Sequence, residues 1–316
     1  MPTLGQQRAA VQEIAGLVVC VRGQQALLVL CLNLLGAALL ARGQNDAARS
    51  FLEQGLAQAR RFGHDEEIGY LLGNLARVHK ALGRYDEAAG LMTEALERAQ
   101  GAAQPNHEGV ALQTNNLANL QVARGRWDAA LPLFEQALAV CDAHGVAVHR
   151  PLVLMNLARA HHALGHVAEA RSWAQRGLEL ARLQGRELLV GHLRLLQARL
   201  AIAEGDAGAA RGGILDALTV AGRLGLAAEQ TRCVVVYAEL LALQRTPADA
   251  AALLRWAGRQ PGLPADDLNE IERQLRTPAI AAASPATSAT PATVPDGESP
   301  AALAVWLAEQ CRPEQM

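Results

Sequence analysis

Aromatic side chains are scarce in this sequence: four Trp, three Tyr and three Phe make up 3% of 316 residues. A core has to be built instead from Ala and Leu within the 51% hydrophobic fraction. That palette, rich in helix formers and poor in β-branched runs, predicts an all-α protein. Cysteine is also sparse. Cys20, Cys31, Cys141, Cys233 and Cys311 are odd in number, scattered, and never spaced C-x-x-C, so they read as reduced thiols of a cytoplasmic protein. An excess of either charge is missing, with 29 Lys and Arg against 31 Asp and Glu and a net charge of −2. This gives no general footprint for nucleic acid or a membrane surface. The longest apolar run, "ALLVLCLNLLGAALLA" at 26–41, holds an Asn and falls short of the ~18 to 20 residues of a membrane span. No basic region precedes it as in a signal peptide.

Chemistry-bearing motifs are absent as well. The chain has no G-x-x-x-x-G-K-[ST] loop, G-x-G-x-x-G, H-E-x-x-H or G-x-S-x-G, so neither an enzyme nor a cofactor is expected. His162 and His166 in "HHALGH" are four apart, yet a glycine turn falls between them and no third ligand is near, so a metal is not expected. Trp127, Trp173 and Trp256 are read as packing residues, since a nucleic-acid stacking platform would interleave aromatics with basic residues.

What the chain has is a repeat. "LGRYDEAAGLMTEALERA" superimposes on "RGRWDAALPLFEQALAV", and in that register an alanine recurs at Ala10, Ala48, Ala88, Ala130, Ala170, Ala210 and Ala250, in steps of 38, 40, 42, 40, 40 and 40. Five residues before the first six stands a glycine: Gly5, Gly43, Gly83, Gly125, Gly165 and Gly205. Further small residues (Gly36, Ala76, Ala118, Ala158, Ala198, Ala238) lie twelve residues before the last six alanines. Small residues at fixed places suit two closely crossing antiparallel helices, and the glycine suits the turn joining them.

The pattern resembles the tetratricopeptide repeat, with small residues at positions 8, 20 and 27 and large apolar ones at 7 (Leu75, Leu117, Leu157) and 24 (Leu52, Met92, Phe134, Ile214, Leu254). The period is about 40 rather than 34, and the proline near the end of the unit is missing. The extra residues are expected to lengthen the second helix, as in the longer repeats of kinesin light chains and bacterial signal-sensing regulators. The resemblance implies a right-handed superhelical α-solenoid with six repeats over 29–264. Residues 1–28 read as the orphan second helix of a truncated repeat, because "LGQQRAAVQEIAGLVV" has Gly5, Ala10, Ile14 and Leu17 but no preceding first helix. This suggests a longer parent protein or a late start codon, the alternative being a lone capping helix. Residues 265–276 read as a capping helix with Leu268, Ile271 and Leu275 on one face, and 277–299 as a disordered Ala/Pro/Thr/Ser linker. Residues 300–311 read as a short helix with Leu303, Trp306, Leu307 and Cys311 in a stripe; docking on the solenoid is its expected role.

In this family the first helices line the concave surface. Carried onto this chain, that register puts Asn74, Asn116 and Asn156 at position 6, and Arg77, Asn119, Arg159 and Arg199 at position 9 of successive repeats. Asn115 and Asn116 with Asn119 fall in one helical sector. A carboxamide can meet a peptide bond, and a guanidinium a carboxylate. The resemblance therefore implies a groove for an extended, acidic or C-terminal peptide segment of a protein partner, with Lys80 and His162 nearby. The bland alternative has the asparagines bonding adjacent repeats and the arginines paired with carboxylates such as Glu239. A different class of function, the ligand-sensing arm of a bacterial transcriptional or signal-transducing regulator, is the alternative to a peptide scaffold, on the cues "EQGLAQARRFGHDEEIGYLLGNLARV" and "AALLRWAGRQPGLPADDLNEIERQL".

Overall fold

The structure is a computed structural model, and it describes residues 23–40, 43–101, 105–244, 246–260, 263, 265–282 and 300–311. Every regular element among them is a helix: α1 (Gly23–Leu40), α2 (Asn45–Phe62), α3 (Asp65–Ala81), α4 (Tyr85–Gly101), α5 (His107–Ala123), α6 (Trp127–His144), α7 (Arg150–Ala163), α8 (Val167–Leu183), α9 (Glu187–Ala203), α10 (Ala207–Arg223), α11 (Ala227–Leu243), α12 (Pro247–Gly258), α13 (Ala265–Leu275), α14 (Pro278–Ala281) and α15 (Pro300–Cys311). The chain divides into two compact units, Met1–Leu120 and Gln121–Met316. Within each, consecutive helices pack on one another, α3 on α4 in the first and α7 on α8, α9 on α10 and α11 on α12 in the second, the local architecture of an α-solenoid.

A glycine with positive φ follows each of the helices α1–α3 and α5–α10. Gly43, Gly83, Gly125, Gly165 and Gly205 all have positive φ between 72° and 82°, a region closed to most residues by Cβ crowding. At each, the chain closes with a long-range helix-end bond, such as Gln44 N–H to Leu39 O at 3.0 Å and His166 N–H to His161 O at 2.8 Å. A second series, Gly63, Gly145, Gly185 and Gly225, does the same between repeats. The two series alternate in twenty-residue steps over 43–83 and over 125–225. The extra residues of the 40-residue unit therefore do not all go into the second helix: α3, α5, α9 and α11 are 17 residues long, as are α4, α8 and α10. Equal partners bury each other along their whole length, and a longer second helix would leave a turn of apolar surface unpaired.

Small residues bring the helices together. A Cβ on Gly36 would lie 2.5 Å from Leu52 Cγ, and one on Gly55 would lie 2.8 Å from Leu71 Cδ2. Around these contacts the core is almost entirely aliphatic. One cluster of the first unit joins Leu52, Leu56, Ile68, Leu71, Leu72 and Val78. In the second unit, one joins Leu178, Leu193, Leu196 and Leu200, and another Ile214, Val234, Val236, Leu240 and Leu254.

At the ends, two boundaries differ from the sequence reading. The first helix of repeat one begins by Gly23, not at 29, and its 18 residues with mean hydropathy 1.7 make it long and apolar enough to cross a membrane by length and composition. Residues 278–281 form α14, packed on α12 through Ile280, so the ordered chain continues past 276. Helix α15 packs across α10 and α11, with Leu307 and Cys311 buried and the Trp306 ring edge-on to Tyr237 at 6.0 Å. Residues 1–22 of the orphan helix expected over 1–28, and residues 283–299 of the linker expected over 277–299, lie outside the described residues.

Because φ at Gly165 is +82°, Gly165→Ala is expected to destabilise the protein by about 1 kcal/mol. Gly90 sits exposed inside α4 with open space where a Cβ would go, so Gly90→Ala is expected to stabilise by about 0.5–1 kcal/mol. Urea unfolding of the two variants checks the opposite signs.

Candidate functional site

The two "NLAR" segments fold alike. On α3 the Arg77 guanidinium donates to Asn74 Oδ1 at 3.1 Å, and on α7 Arg159 donates to Asn156 Oδ1 at 3.3 Å. Three residues is close to one helical turn, so position 9 comes to rest above position 6. In each pair the uncharged amide carbonyl orients the guanidinium fork.

In the first unit, Asn74 also donates to Asn33 Oδ1 across to α1 at 2.8 Å, so this amide links adjacent repeats as well as holding Arg77. Arg77 has no carboxylate partner among the described residues. Its surroundings work to lower its pKa by desolvation although the side chain reaches solvent; an arginine remains charged all the same. Lys80, one turn on, already interacts with its surroundings. The amides of α5 are occupied. Asn116 donates to Gln113 Oε1 at 3.2 Å, Gln113 to Gly69 O at 3.2 Å, and Asn119 to its own helix at Asn115 O at 3.0 Å. Asn115 is 1% exposed, so it belongs to the interior with Gln113 and Thr114 and is out of a partner's reach.

In the second unit, Arg159 is exposed and stands over the Trp127 ring at 6.0 Å, within cation–π range. Asn156 itself is buried and serves to hold it. His162, one turn further on, is pushed toward the neutral form by burial and then by nearby Arg199. Arg199 is different from Arg77. It grips both oxygens of Glu239 at 3.0 and 3.2 Å, and although burial opposes its charge, Glu239 holds its pKa above the ordinary value.

That pair belongs to a closed network over α9, α11 and α13. Gln274 donates to Glu239 at 2.6 Å and to Glu270 at 2.9 Å, Glu270 also meets Arg273, Arg232 bridges Glu229 at 2.6 Å and Asp267 at 2.8 Å, and His192 pairs with Glu229 at 2.8 Å. Asp267 and Gln274 of the capping helix reach Arg232 and Glu239, each 35 positions away, a relation that no local pattern carries.

A cavity of about 690 Å³ opens in the first unit between α3, α4 and the start of α5. Gly69, Gly101 and Gly109 leave the space, and its walls carry Tyr70, Glu97 and the Arg98 cluster, in which Arg98 meets Glu94 at 3.2 Å and Asp65 at 3.4 Å. No sequence motif marks it; its signal is a set of glycines on facing helices. Among the described residues, no three His, Cys, Asp or Glu side chains gather as a metal site would require.

Paired helices, joined at left-handed glycines and packed through small-to-large contacts, define a helical-repeat interaction scaffold. The tetratricopeptide-repeat model matches residues 27–101, 67–143 and 111–183, and the chain belongs to that family. No curated protein sequence matches it. Similar solved structures include BtubC (BKLC) from P. vanneervenii, with TM-score 0.53, 20% identity, and coverage of 72% of this chain and 90% of that one. Aspartyl phosphate phosphatase F from Bacillus subtilis aligns with TM-score 0.56 at 10% identity over 89% of this chain and 77% of its own. A candidate kinesin light chain of Podosopora anserina with nearly identical TPR-like repeats aligns with TM-score 0.46 at 20% identity over 59% and 91%. At these identities the likeness is one of fold.

Burial alone would raise the pKa of Glu229 and Glu270, but His192 and Arg232 for the first, and Arg273 and Gln274 for the second, bring both below the ordinary 4.5. Carboxyls depressed in the folded state add stability above the unfolded pKa and lose it as pH falls through the folded one. Thermal melts from pH 6 to pH 3 are expected to show a steep loss below about 4.5, and a shallower one in Glu229→Gln/Glu270→Gln.

Proposed function

We propose that the protein is a non-enzymatic scaffold that binds extended, acidic segments of a protein partner through the first-helix faces of its repeats. The observation that carries this reading is the Asn–Arg pair made twice, at Asn74–Arg77 and Asn156–Arg159, with the guanidinium oriented by an amide. An oriented, charged fork is the group that recognises a carboxylate in two-point fashion. Preorganisation lowers the ordering cost of binding. Asn116 and Asn119 flank the first of these pairs on the neighbouring first helix, and His162 lies one turn beyond the second. Arg199 supports the fold through Glu239 and is not assigned a contact with the partner.

A second reading, sensing of a small effector, has the cavity between α3, α4 and α5 in its favour, since its volume falls within the ~300–1,000 Å³ of ligand pockets. In that case, Gly69→Trp would abolish a thermal shift produced by the effector.

The test of the first reading is a panel of fluorescein-labelled eight-residue peptides carrying none, two or four Asp and Glu, titrated by anisotropy at low salt. Affinity is expected to rise with acidic content and to fall at least tenfold in Arg77→Glu/Arg159→Glu, with the melting temperature unchanged. Equal affinity across the panel, or full affinity in the double variant, overturns it.

A further inference from the structure

The cleft at Gly69 has a counterpart three repeats further on, and the two differ in what fills them. In the alanine register Gly69, Tyr70, Ala95, Arg98, Gly109 and Gln113 correspond to Gly191, His192, Ala217, Val220, Glu229 and Cys233. The later set lines a cavity of only about 10 Å³ between α9, α10 and α11, whereas the earlier one lines the cavity of about 690 Å³.

Three side chains close the later cleft. Val220 fills the hollow over Gly191, its Cγ1 standing 3.2 Å from the place of a Cβ, and His192 meets Glu229 at 2.8 Å between α9 and α11. At Gly69 nothing lies within 4 Å of the same point. Arg98, in the place of Val220, turns to Asp65 at 3.4 Å and Glu94 at 3.2 Å, and Gly109, in the place of Glu229, has no side chain to reach across. Gln113 Nε2 donates to Gly69 O at 3.2 Å, so a hydrogen bond braces the floor. Packed interiors leave few voids larger than a water molecule, and this one is written into the residues of a single repeat and its neighbour.

The walls of the vacancy are uneven in character. Gly69, Ala95, Ala99 and Gly109 offer an apolar floor and Tyr70 an aromatic side, while the ionisable groups are Asp65, Glu94, Glu97 and Arg98, three carboxylates to one guanidinium. Glu94 is shared between Arg98 and Arg60, the latter at 2.9 Å. Glu97 makes no ion pair among the described residues. Carboxylates gathered on a concave wall focus a negative potential into it, and an aromatic face also favours a cation.

We propose that this cleft binds a small organic cation, an ammonium group on an apolar body, with the body over Gly69 and the ammonium among Glu97, Asp65 and Glu94. The inference rests on the effector reading of the cavity given above and adds the charge and build of the effector. Arg98 is its internal competitor. The guanidinium already holds two of the carboxylates that the ammonium meets, which shows that they accept a cation, and its removal frees them for the ligand. This ligand is opposite in sign to the acidic segment assigned to Arg77 and Arg159, so one molecule does not serve both sites.

Phenylbutylamine, phenylbutanol and phenylbutyrate share a body and differ in the charge of the head group. Titrating each into the unaltered chain at neutral pH, followed by saturation-transfer NMR and thermal shift, needs no variant to fold. The amine is expected to bind at least tenfold more tightly than the alcohol or the acid. Glu97→Gln is expected to weaken it at least threefold, Arg98→Gln to strengthen it, and Gly69→Trp to abolish it. Preference for the alcohol or the acid overturns the cationic assignment while keeping the cavity as an effector site, whereas no binding of any of the three overturns both. Amine binding that persists unchanged in a folded Gly69→Trp variant places the amine elsewhere and contradicts the proposal.

Discussion

Left-handed glycines, twenty residues apart over 43–83 and again over 125–225, are the constraint on which the rest of this structure depends. Each one stops a helix after about five turns and reverses the chain, with the backbone hydrogen bonds of the helix end satisfied inside the turn. Where the spacing is even, as for α3 with α4 and α9 with α10, first and second helices come out the same length, whereas α7 and α12, with 14 and 12 residues, are shorter than their partners. The core then needs few large side chains. Ala and Gly at the crossings let backbones approach, and Leu fills what remains, which is how a chain with 3% aromatic residues builds a continuous interior.

The same backbone regularity decides what the polar residues of the first helices can do. Positions 6 and 9 rise on one face in every repeat, but their neighbours differ. Toward the C-terminal end of the second unit, α13 brings Asp267, Glu270 and Gln274 against Arg232 and Glu239, and the arginines there are consumed by internal pairing. On α3 and α7 position 9 is held by an amide one turn back, and on α7 it also stands over the Trp127 ring. Identical residue types in identical register thus meet different partners according to what the next element places beside them.

Much of the fold was legible in the sequence because small residues and turn glycines recur at a fixed period, and periodicity reports on geometry directly. The division of the extra residues between the helices was less legible. The alanine register reveals the turn within each repeat, whereas the second glycine series (Gly63, Gly145, Gly185, Gly225) is interrupted between repeats two and three, where the step is 42. The first-helix face could be located by register, but its occupancy could not: nothing local tells that Asn115 is buried, that Asn74 bonds Asn33 of the neighbouring repeat, or that Arg199 is held by Glu239. Those are contacts between residues about 40 apart, and they depend on which side chain the neighbouring repeat presents.

The central claim is that Arg77 and Arg159, held by Asn74 and Asn156, present usable charge to a partner's carboxylates. It is tested most directly by following the arginine Nε–Hε resonances by NMR while an acidic peptide is added. The account predicts selective shifts of Arg77 and Arg159 that saturate with binding, with Arg199 and Arg232 unmoved because their partners already occupy them. Peptide binding that shifts Arg199 or Arg232, or that leaves Arg77 and Arg159 unchanged, would contradict it.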